Sequence, residues 1–290
     1  MFTGALIAVV TPFRNGKVDE RAFGDLIEWQ IANGTSGIVP CGTTGESATL
    51  SHQEHRRVVE FTVEVVKRRV PVIAGTGSNS TEEAVSLTKH AKQAGADGAL
   101  LITPYYNKPT QEGLYRHYKV VAESVDLPQI LYNIPGRTGV NMLPSTVARL
   151  CGLQSIVGIK EGSGSVQQAS DIASMCGDWI TVLAGDDALT LPILAVGGKG
   201  VISVASNVVP SEMAQLVKAF LSGRIEEARR IHFALSPLFT ALFYETNPIP
   251  VKTALGMMGK IDPELRLPLC AMATETKDQL TQALKDAGLI

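Results

Sequence analysis

Residues 155–187 read SIVGIKEGSGSVQQASDIASMCGDWITVLAGDD and contain one complete structural repeat. The apolar run Ile156–Lys160 is followed by a helix-start signal at Ser165, an amphipathic segment Gln167–Met175 and a second apolar run, Thr181–Ala184. An apolar run, an amphipathic segment and another apolar run form the pattern of a strand-helix-strand unit.

This pattern recurs along most of the chain. Eight apolar runs predict strands: Ala5–Val10, Gly37–Cys41, Pro71–Ala74, Gly98–Thr103, Gln129–Tyr132, Ile156–Lys160, Thr181–Ala184 and Gly200–Val204. The amphipathic segments between them include Glu20–Ala32, His52–Lys67, Thr81–Ala94, Gln111–Val125 and Gln167–Met175. Eight such units predict an α/β fold, the (β/α)8 TIM barrel. A doubly wound open sheet also alternates, but no GxGxxG follows the first run.

Two further features concern the helices. Three of them begin with a capping-box pattern, at Ser51-x-x-Glu54, Ser80-x-x-Glu83 and Ser165-x-x-Gln168. After Gly223 the alternation stops, and three helices are predicted at Ile225–Phe243, Val251–Met258 and Thr274–Ala287. We therefore divide the chain into a barrel, residues 1–223, and a C-terminal helical extension, residues 224–290.

Composition excludes several classes of protein. Of 290 residues, 45% are hydrophobic and 19% charged, which is enough apolar material for a large core. The 26 basic and 28 acidic residues nearly balance and form no long run, which argues against nucleic-acid binding. The four cysteines are scattered, Met1–Val10 does not resemble an export signal, and no apolar run is long enough to span a membrane. We expect a cytoplasmic protein with no membrane partner.

Polar residues after barrel strands are the candidates for function, because these positions meet at one mouth of the barrel. After the second strand, Gly42-Thr43-Thr44-Gly45-Glu46 offers hydroxyls and backbone amides that can hold a small carboxylate. An ordinary tight turn is the alternative. After the fourth strand, Thr103–Asn107 places paired aromatics at the mouth or at an interface between subunits.

The fifth and sixth strands end in reactive side chains. Tyr132 can move a proton, and Arg137, in the following Pro/Gly-bounded loop, can bind a carboxylate with two parallel hydrogen bonds. A core tyrosine and a surface arginine are the alternatives. Lys160 ends an apolar run, so burial favours its neutral amine, which can form a Schiff base with a carbonyl substrate. The alternative is a rim lysine paired with Glu161.

Metal chemistry has weaker support in the sequence. His52 and His55 share a helical face but lack the HExxH pattern and a further ligand. Asp186 and Asp187 can hold a divalent ion, although capping the next helix is the simpler role. We predict no metal and no cofactor.

With these motifs in place, the chain resembles the dihydrodipicolinate synthase (4-hydroxy-tetrahydrodipicolinate synthase) family from end to end. The resemblance includes Thr103–Asn107 (TPYYN), Gly185-Asp186-Asp187, Gly200–Ser203 (GVIS) and Asn247–Lys252 (NPIPVK). It departs at Gly162-Ser163, where the family often has Ala-Thr, and at Thr246, where proline is frequent. Neither departure is at a catalytic position.

The resemblance implies a lysine-biosynthetic aldolase that condenses pyruvate with L-aspartate 4-semialdehyde. Lys160 then forms the imine, and Tyr132, Thr44 and Tyr106 form a proton relay in which Tyr106 comes from a neighbouring subunit. Thr43 and Thr44 hold the pyruvate carboxylate and Arg137 that of the semialdehyde. Gly185 and Ile202 line the pyruvate site.

The resemblance also implies regulation and assembly. Feedback inhibition by L-lysine is expected at a site formed by Ser47, Ala48, His52, His55, Asn79, Glu83 and Tyr105. Capping, turn and solvated-face roles are the alternatives for these residues. The resemblance suggests a homo-oligomer, a tetramer built as a dimer of dimers.

The alternative functions are those of related enzymes on the same barrel. N-acetylneuraminate lyase and sugar-acid aldolases share the lysine and tyrosine, but they typically lack the arginine of the GRTG pattern. A non-catalytic keto-acid-binding barrel is a further alternative.

Overall fold

The computed structural model describes residues 2–290 and contains eight parallel strands arranged in a ring. The strands are β1 (Gly4–Ala8), β2 (Gly37–Val39), β3 (Ile73–Gly75), β4 (Gly98–Ile102), β5 (Gln129–Asn133), β6 (Ile156–Glu161), β7 (Thr181–Ala184) and β8 (Gly200–Ser203). Each strand pairs with its neighbour in the chain, β1 also pairs with β8, and a parallel bridge between Ile38 and Val72 joins β2 to β3. The predicted (β/α)8 barrel is confirmed.

Helices connect the strands and cover the outside of the ring. They are α1 (Glu20–Ala32), α2 (His52–Val66), α3 (Thr81–Ala94), α4 (Gln111–Ser124), α5 (Pro135–Thr138), α6 (Pro144–Leu150), α7 (Val166–Cys176), α8 (Thr190–Ala195) and α9 (Pro210–Leu221). Helices α10 (Ile225–Ala241), α11 (Ile249–Met257) and α12 (Thr274–Asp286) form the C-terminal extension. Leu238, Val251 and Leu280 of these three helices belong to the same buried apolar cluster as barrel residues such as Val10.

The interior of the barrel is filled by a small cluster of buried apolar side chains, separate from the larger cluster between the strands and the helices. Its buried members come from seven of the eight strands and include Leu6, Val39, Ile130, Tyr132 and Ile202, and the partly buried Val157 of β6 packs against them. Alternate residues of a barrel strand point inward, so this cluster identifies the inward-facing positions. Because Lys160 is paired in register with Tyr132, its side chain also points into the barrel.

Two local features differ from the sequence predictions. A short hairpin, Phe13–Arg14 with Lys17–Val18, precedes α1 and was not among the predicted elements. Only the helix start at Ser51 is a complete capping box. At Ser80 and Ser165 the serine accepts the expected amide hydrogen bond, but the glutamate and glutamine side chains three residues later bind other partners.

Candidate active site

Lys160 lies at the mouth end of β6 and is 4% exposed. Its Nζ atom is 4.3 Å from the centre of the Tyr132 ring, and no carboxylate among residues 2–290 lies within ion-pair distance of it. Burial lowers the pKa of Lys160 from 10.5 to about 8, while the negative charge of Asp187 acts in the opposite direction. At neutral pH a larger fraction of this amine is therefore neutral than of an exposed lysine.

Glu161, the next residue, points to the other side of the strand. Its buried carboxylate accepts hydrogen bonds from the amide of Ser163 at 2.6 Å, from Gln168 Nε2 at 3.0 Å and from Asn133 Nδ2 at 3.2 Å. The alternative of a rim lysine paired with Glu161 is therefore wrong, because the two side chains alternate across the strand.

Tyr132 lies in β5 beside Lys160 and is also buried. Burial raises the pKa of the phenol, and the Thr43 hydroxyl and the Arg137 guanidinium partly oppose this effect. The phenol therefore carries its proton at neutral pH and presents a donor near the amine. Tyr132 therefore packs in the barrel interior and also forms part of the predicted site.

The turn after β2 carries the residues predicted to hold a carboxylate. The amides of Gly45 and Glu46 donate to the carbonyl oxygens of Gly42 and Thr43, both at 3.1 Å. The amides of Thr43 and Thr44 donate to no acceptor within residues 2–290. Free adjacent amides beside hydroxyls are groups that bind a small carboxylate.

Thr44 is buried and contacts a residue from the C-terminal extension. Asn247 Nδ2 donates to Thr44 Oγ1 at 2.9 Å, and the main-chain oxygen of Asn247 accepts a hydrogen bond from Arg137 Nη2 at 3.0 Å. Sequence reasoning did not assign a role to Asn247. Its only signal was its place in the NPIPVK motif, because 203 residues separate it from Thr44.

The two predicted lining residues lie at the ends of β7 and β8. A Cβ atom on Gly185 would lie 2.8 Å from the Glu161 carbonyl oxygen, so only glycine fits there without a shift. Ile202 is fully buried in the barrel interior. Gly185 therefore lies against the backbone of Glu161, the residue that follows Lys160.

Asp186 and Asp187 have different roles. Asp186 accepts from the amide of Ala188 and caps the following turn, as the simpler alternative predicted. Asp187 is buried, and its Oδ2 accepts from the amides of Val204 and Ala205 at 3.0 and 2.8 Å. Asp187 therefore fixes the loop after β8 and supplies a negative charge that acts on Lys160.

A cavity of about 520 Å³ is lined by three predicted catalytic or substrate-binding residues and by most of the predicted effector residues, but Lys160 and Thr44 are not among its lining residues. Thr43, Tyr132 and Arg137 line it, as do six of the seven predicted effector residues: Ser47, Ala48, His52, His55, Glu83 and Tyr105. The seventh, Asn79, does not line the cavity, but its Nδ2 donates to the main-chain oxygen of Tyr105 at 3.1 Å.

The polar groups of this cavity are partly paired with one another. Glu83 contacts His52, with 3.3 Å between Oε1 and Nε2, and accepts a hydrogen bond from Ser78. His55 is buried, and its Nε2 donates to the carbonyl oxygen of Gly75 at 2.8 Å. The solvated-face alternative is therefore wrong for His55, although it describes the exposed His52.

Tyr106 is not brought to the site within one chain. Its side chain is 90% exposed, and its backbone has a left-handed φ of 74°. The adjacent Tyr105 lines the cavity. Within residues 2–290, no group of three or more His, Cys, Asp or Glu residues could hold a metal ion, and no helix is long and apolar enough to cross a membrane.

Known proteins resemble this chain over its full length. Residues 1–287 match the dihydrodipicolinate synthetase family. The 4-hydroxy-tetrahydrodipicolinate synthase of Thermodesulfovibrio yellowstonii is 61% identical over 290 residues, which is all of both chains. A crystal structure of the chloride-inhibited dihydrodipicolinate synthase from Acinetobacter baumannii complexed with pyruvate is 46% identical with a TM-score of 0.98, covering all of both chains. A structure of the Cyanidioschyzon merolae enzyme with lysine bound is 42% identical with a TM-score of 0.96, covering 100% of this chain and 99% of that one. This chain belongs to the dihydrodipicolinate synthetase family.

Proposed function

We propose that this enzyme condenses pyruvate with L-aspartate 4-semialdehyde through an imine on Lys160, giving 4-hydroxy-tetrahydrodipicolinate for lysine biosynthesis. The observation that carries the proposal is the buried Lys160 amine, which has a lowered pKa and lies against the Tyr132 ring. The pyruvate complex of the related Acinetobacter baumannii enzyme supports the choice of the first substrate.

The first steps follow from the properties of Lys160. The neutral amine attacks the pyruvate ketone, and loss of water gives an imine. The imine withdraws electrons, so the methyl group can lose a proton and become an enamine. Tyr132 and Thr44, with Tyr106 from a neighbouring subunit, relay these protons, because a protonated phenol alone is a poor base at neutral pH.

The second substrate then reacts with the enamine. Its aldehyde carbon forms the new carbon-carbon bond with the former methyl carbon, and its amino group attacks the imine carbon, closing the ring and releasing Lys160. The free amides and hydroxyls of Thr43 and Thr44 bind the pyruvate carboxylate. Arg137, at the cavity wall, binds the carboxylate of the semialdehyde.

Regulation and assembly form part of the same proposal. L-Lysine binds where Glu83, His55 and Tyr105 line the cavity, and the lysine-bound structure of the Cyanidioschyzon merolae relative supports this effector.

A dimer is the smallest active unit, because the exposed Tyr106 can complete only a neighbour's relay. Two such dimers form the tetramer. Sedimentation with activity assays on dilution tests this, and a fully active monomer would contradict it.

Borohydride trapping tests the central step. Incubation with pyruvate and borohydride should add one reduced pyruvyl group per chain at Lys160, and Lys160→Ala should abolish the adduct. Activity should survive a chelator, because an imine needs no metal. A panel of aldehydes should show preference for aspartate semialdehyde over polyhydroxylated sugars. An adduct at another lysine, loss of activity with the chelator, or a preference for sugar substrates would contradict the proposal.

A further inference from the structure

We propose that Asn247 is a positioning residue that sets the direction in which the Thr44 hydroxyl donates its proton. The inference rests on the proposed function, in which Thr44 is a member of the proton relay. It assigns to the C-terminal extension a role in the chemistry of a barrel residue.

The contact between the two side chains carries the argument. Asn247 is 5% exposed and Thr44 is 3% exposed, and Asn247 Nδ2 donates to Thr44 Oγ1 at 2.9 Å. An amide nitrogen can only donate, so the threonine oxygen is the acceptor. The hydroxyl proton must then point away from Asn247 toward another acceptor. A relay member held in this way has one donor direction instead of several, and orientation of this kind lowers the barrier to proton transfer.

The rest of the side chain gives no sign of a purely structural role. The Oδ1 atom of Asn247 is buried and has no hydrogen-bond partner within residues 2–290. An unpaired buried carbonyl destabilises the fold, so stability alone would favour an apolar residue here. Among the residues that the structure describes, the Asn247 side chain hydrogen-bonds to Thr44 alone.

Asn247 contacts Arg137 through a different group. Arg137 Nη2 donates to the main-chain oxygen of Asn247 at 3.0 Å, and this oxygen is present whatever the side chain is. Substitution of the side chain therefore removes the contact to Thr44 and leaves the contact to Arg137. The proposal predicts a lower kcat with little change in KM for the semialdehyde.

The experiment compares Asn247→Ala with Asn247→Asp. Both variants should form the borohydride-trapped pyruvate adduct in wild-type yield. In Asn247→Ala, kcat and the exchange of pyruvate methyl protons in heavy water should fall about 10- to 100-fold, the lower part of the range for acid-base catalysis. KM for the semialdehyde should stay within about twofold, since an interaction lost only in the transition state lowers kcat.

Asn247→Asp tests the direction of the hydrogen bond. Its shape matches that of asparagine, so it serves also if the alanine variant fails to fold. An ionised aspartate only accepts, so it turns the Thr44 hydroxyl toward itself and should be less active than Asn247→Ala. When the aspartate is protonated it can donate again, so its activity relative to Asn247→Ala should rise as the pH falls. A structural role alone would not produce this pH dependence.

Thr253→Ala is the matched control. Its buried hydroxyl lies in α11, the helix that follows Asn247, and donates to the carbonyl oxygen of Ile249 at 2.8 Å. Methyl-proton exchange in Asn247→Ala equal to that of Thr253→Ala would overturn the inference, as would wild-type activity in Asn247→Asp. In either case normal adduct yield would leave the proposed function standing. Absence of an adduct in the wild-type enzyme would overturn the proposed function and this inference with it.

Discussion

Lys252 Nζ lies 2.6 Å from Glu46 Oε1, and both side chains are completely buried. Lys252 belongs to α11, and Glu46 is the last residue of the turn that carries Thr43 and Thr44. Lys252 Nζ also donates to the carbonyl oxygen of Thr11 at 3.0 Å. The ion pair therefore ties the C-terminal extension to the loop that carries the predicted carboxylate site.

Removal of one partner should be more damaging than removal of both charges. Lys252→Met leaves the Glu46 carboxylate buried without its ion-pair partner, which commonly lowers stability by about 3–5 kcal/mol. The double variant Glu46→Gln/Lys252→Met should recover part of this loss. Urea unfolding at one fixed protein concentration measures both, since subunit association shifts apparent stability. Equal stability of the single and double variants would show that the unpaired Glu46 charge does not cause the loss of stability in Lys252→Met.

The buried Lys160 should lower the stability of the fold that carries it. Its pKa falls from 10.5 to about 8, so the folded state binds the proton more weakly than the unfolded state. Below about pH 8 the amine is mostly protonated in both states, and burial of its charge then lowers the free energy of unfolding by the full amount, roughly 3 kcal/mol. This loss of stability becomes smaller as the pH rises from 8 through 10.5, because the amine is then increasingly neutral in the folded state and finally in both states.

Lys160→Met should therefore be inactive and more stable than the wild type at neutral pH. The stability difference should narrow above about pH 8, measured by thermal or urea unfolding without pyruvate. The exposed Lys285→Met, in the last turn of α12, is the control, and its effect should be small at every pH. A Lys160→Met variant less stable than the wild type at neutral pH would contradict the argument.

The predicted strands and helices agree closely with the structure. Strands of a buried parallel sheet are continuous apolar runs, so their positions can be read directly from the distribution of apolar residues along the sequence. Helix α3 was predicted at its observed bounds because Ser80 caps its start and the left-handed Gly95 ends it. The hairpin at residues 13–18 was missed because each strand has two residues, although Asn15-Gly16 is a typical turn signal.

The supporting residues of the site were harder to predict. Lys160 and Tyr132 lie near the ends of two strands and Arg137 follows one, so the barrel itself brings them to one mouth. Asn247 and Lys252 are 203 and 206 residues from their partners, and no periodicity links them. Asp187 was considered only as a cap or metal ligand, since its contacts with the Val204 and Ala205 amides depend on the neighbouring strand. The division at residues 223 and 224 stays a prediction.

Arg137→Ala should separate the two substrates. Pyruvate adduct formation at Lys160 should continue, because the guanidinium is assigned to the semialdehyde carboxylate. Turnover should fall by an amount equivalent to a few kcal/mol, roughly the value of a charge-assisted hydrogen bond whose partner is lost. Steady-state kinetics with both substrates and adduct mass measurement give the two readouts. Unchanged kinetics toward the semialdehyde would remove Arg137 from the site.

Binding of L-lysine should depend on Glu83 and not on its neighbour Glu82. The Glu83 carboxylate lines the cavity and is held by Ser78 and His52, so it is in place to accept the effector's ammonium group. Glu82 is next to it in α3 but does not line that cavity. Calorimetry should therefore detect binding to the wild type and to Glu82→Ala, and lose it in Glu83→Ala.

Inhibition requires a coupling free energy in addition to binding. Tyr105 supplies a physical route, because its carbonyl oxygen is held by Asn79 while the next residue, the exposed Tyr106, is the one assigned to the neighbour's relay. Asn79→Ala should therefore weaken inhibition more than it weakens binding, since it releases Tyr105 and leaves the Glu83 contact. Inhibition curves beside calorimetry measure the two effects. Equal losses of binding and inhibition in Asn79→Ala would show that Asn79 contributes to binding alone. Binding of L-lysine without inhibition in the wild type would contradict the proposed coupling from Tyr105 to Tyr106.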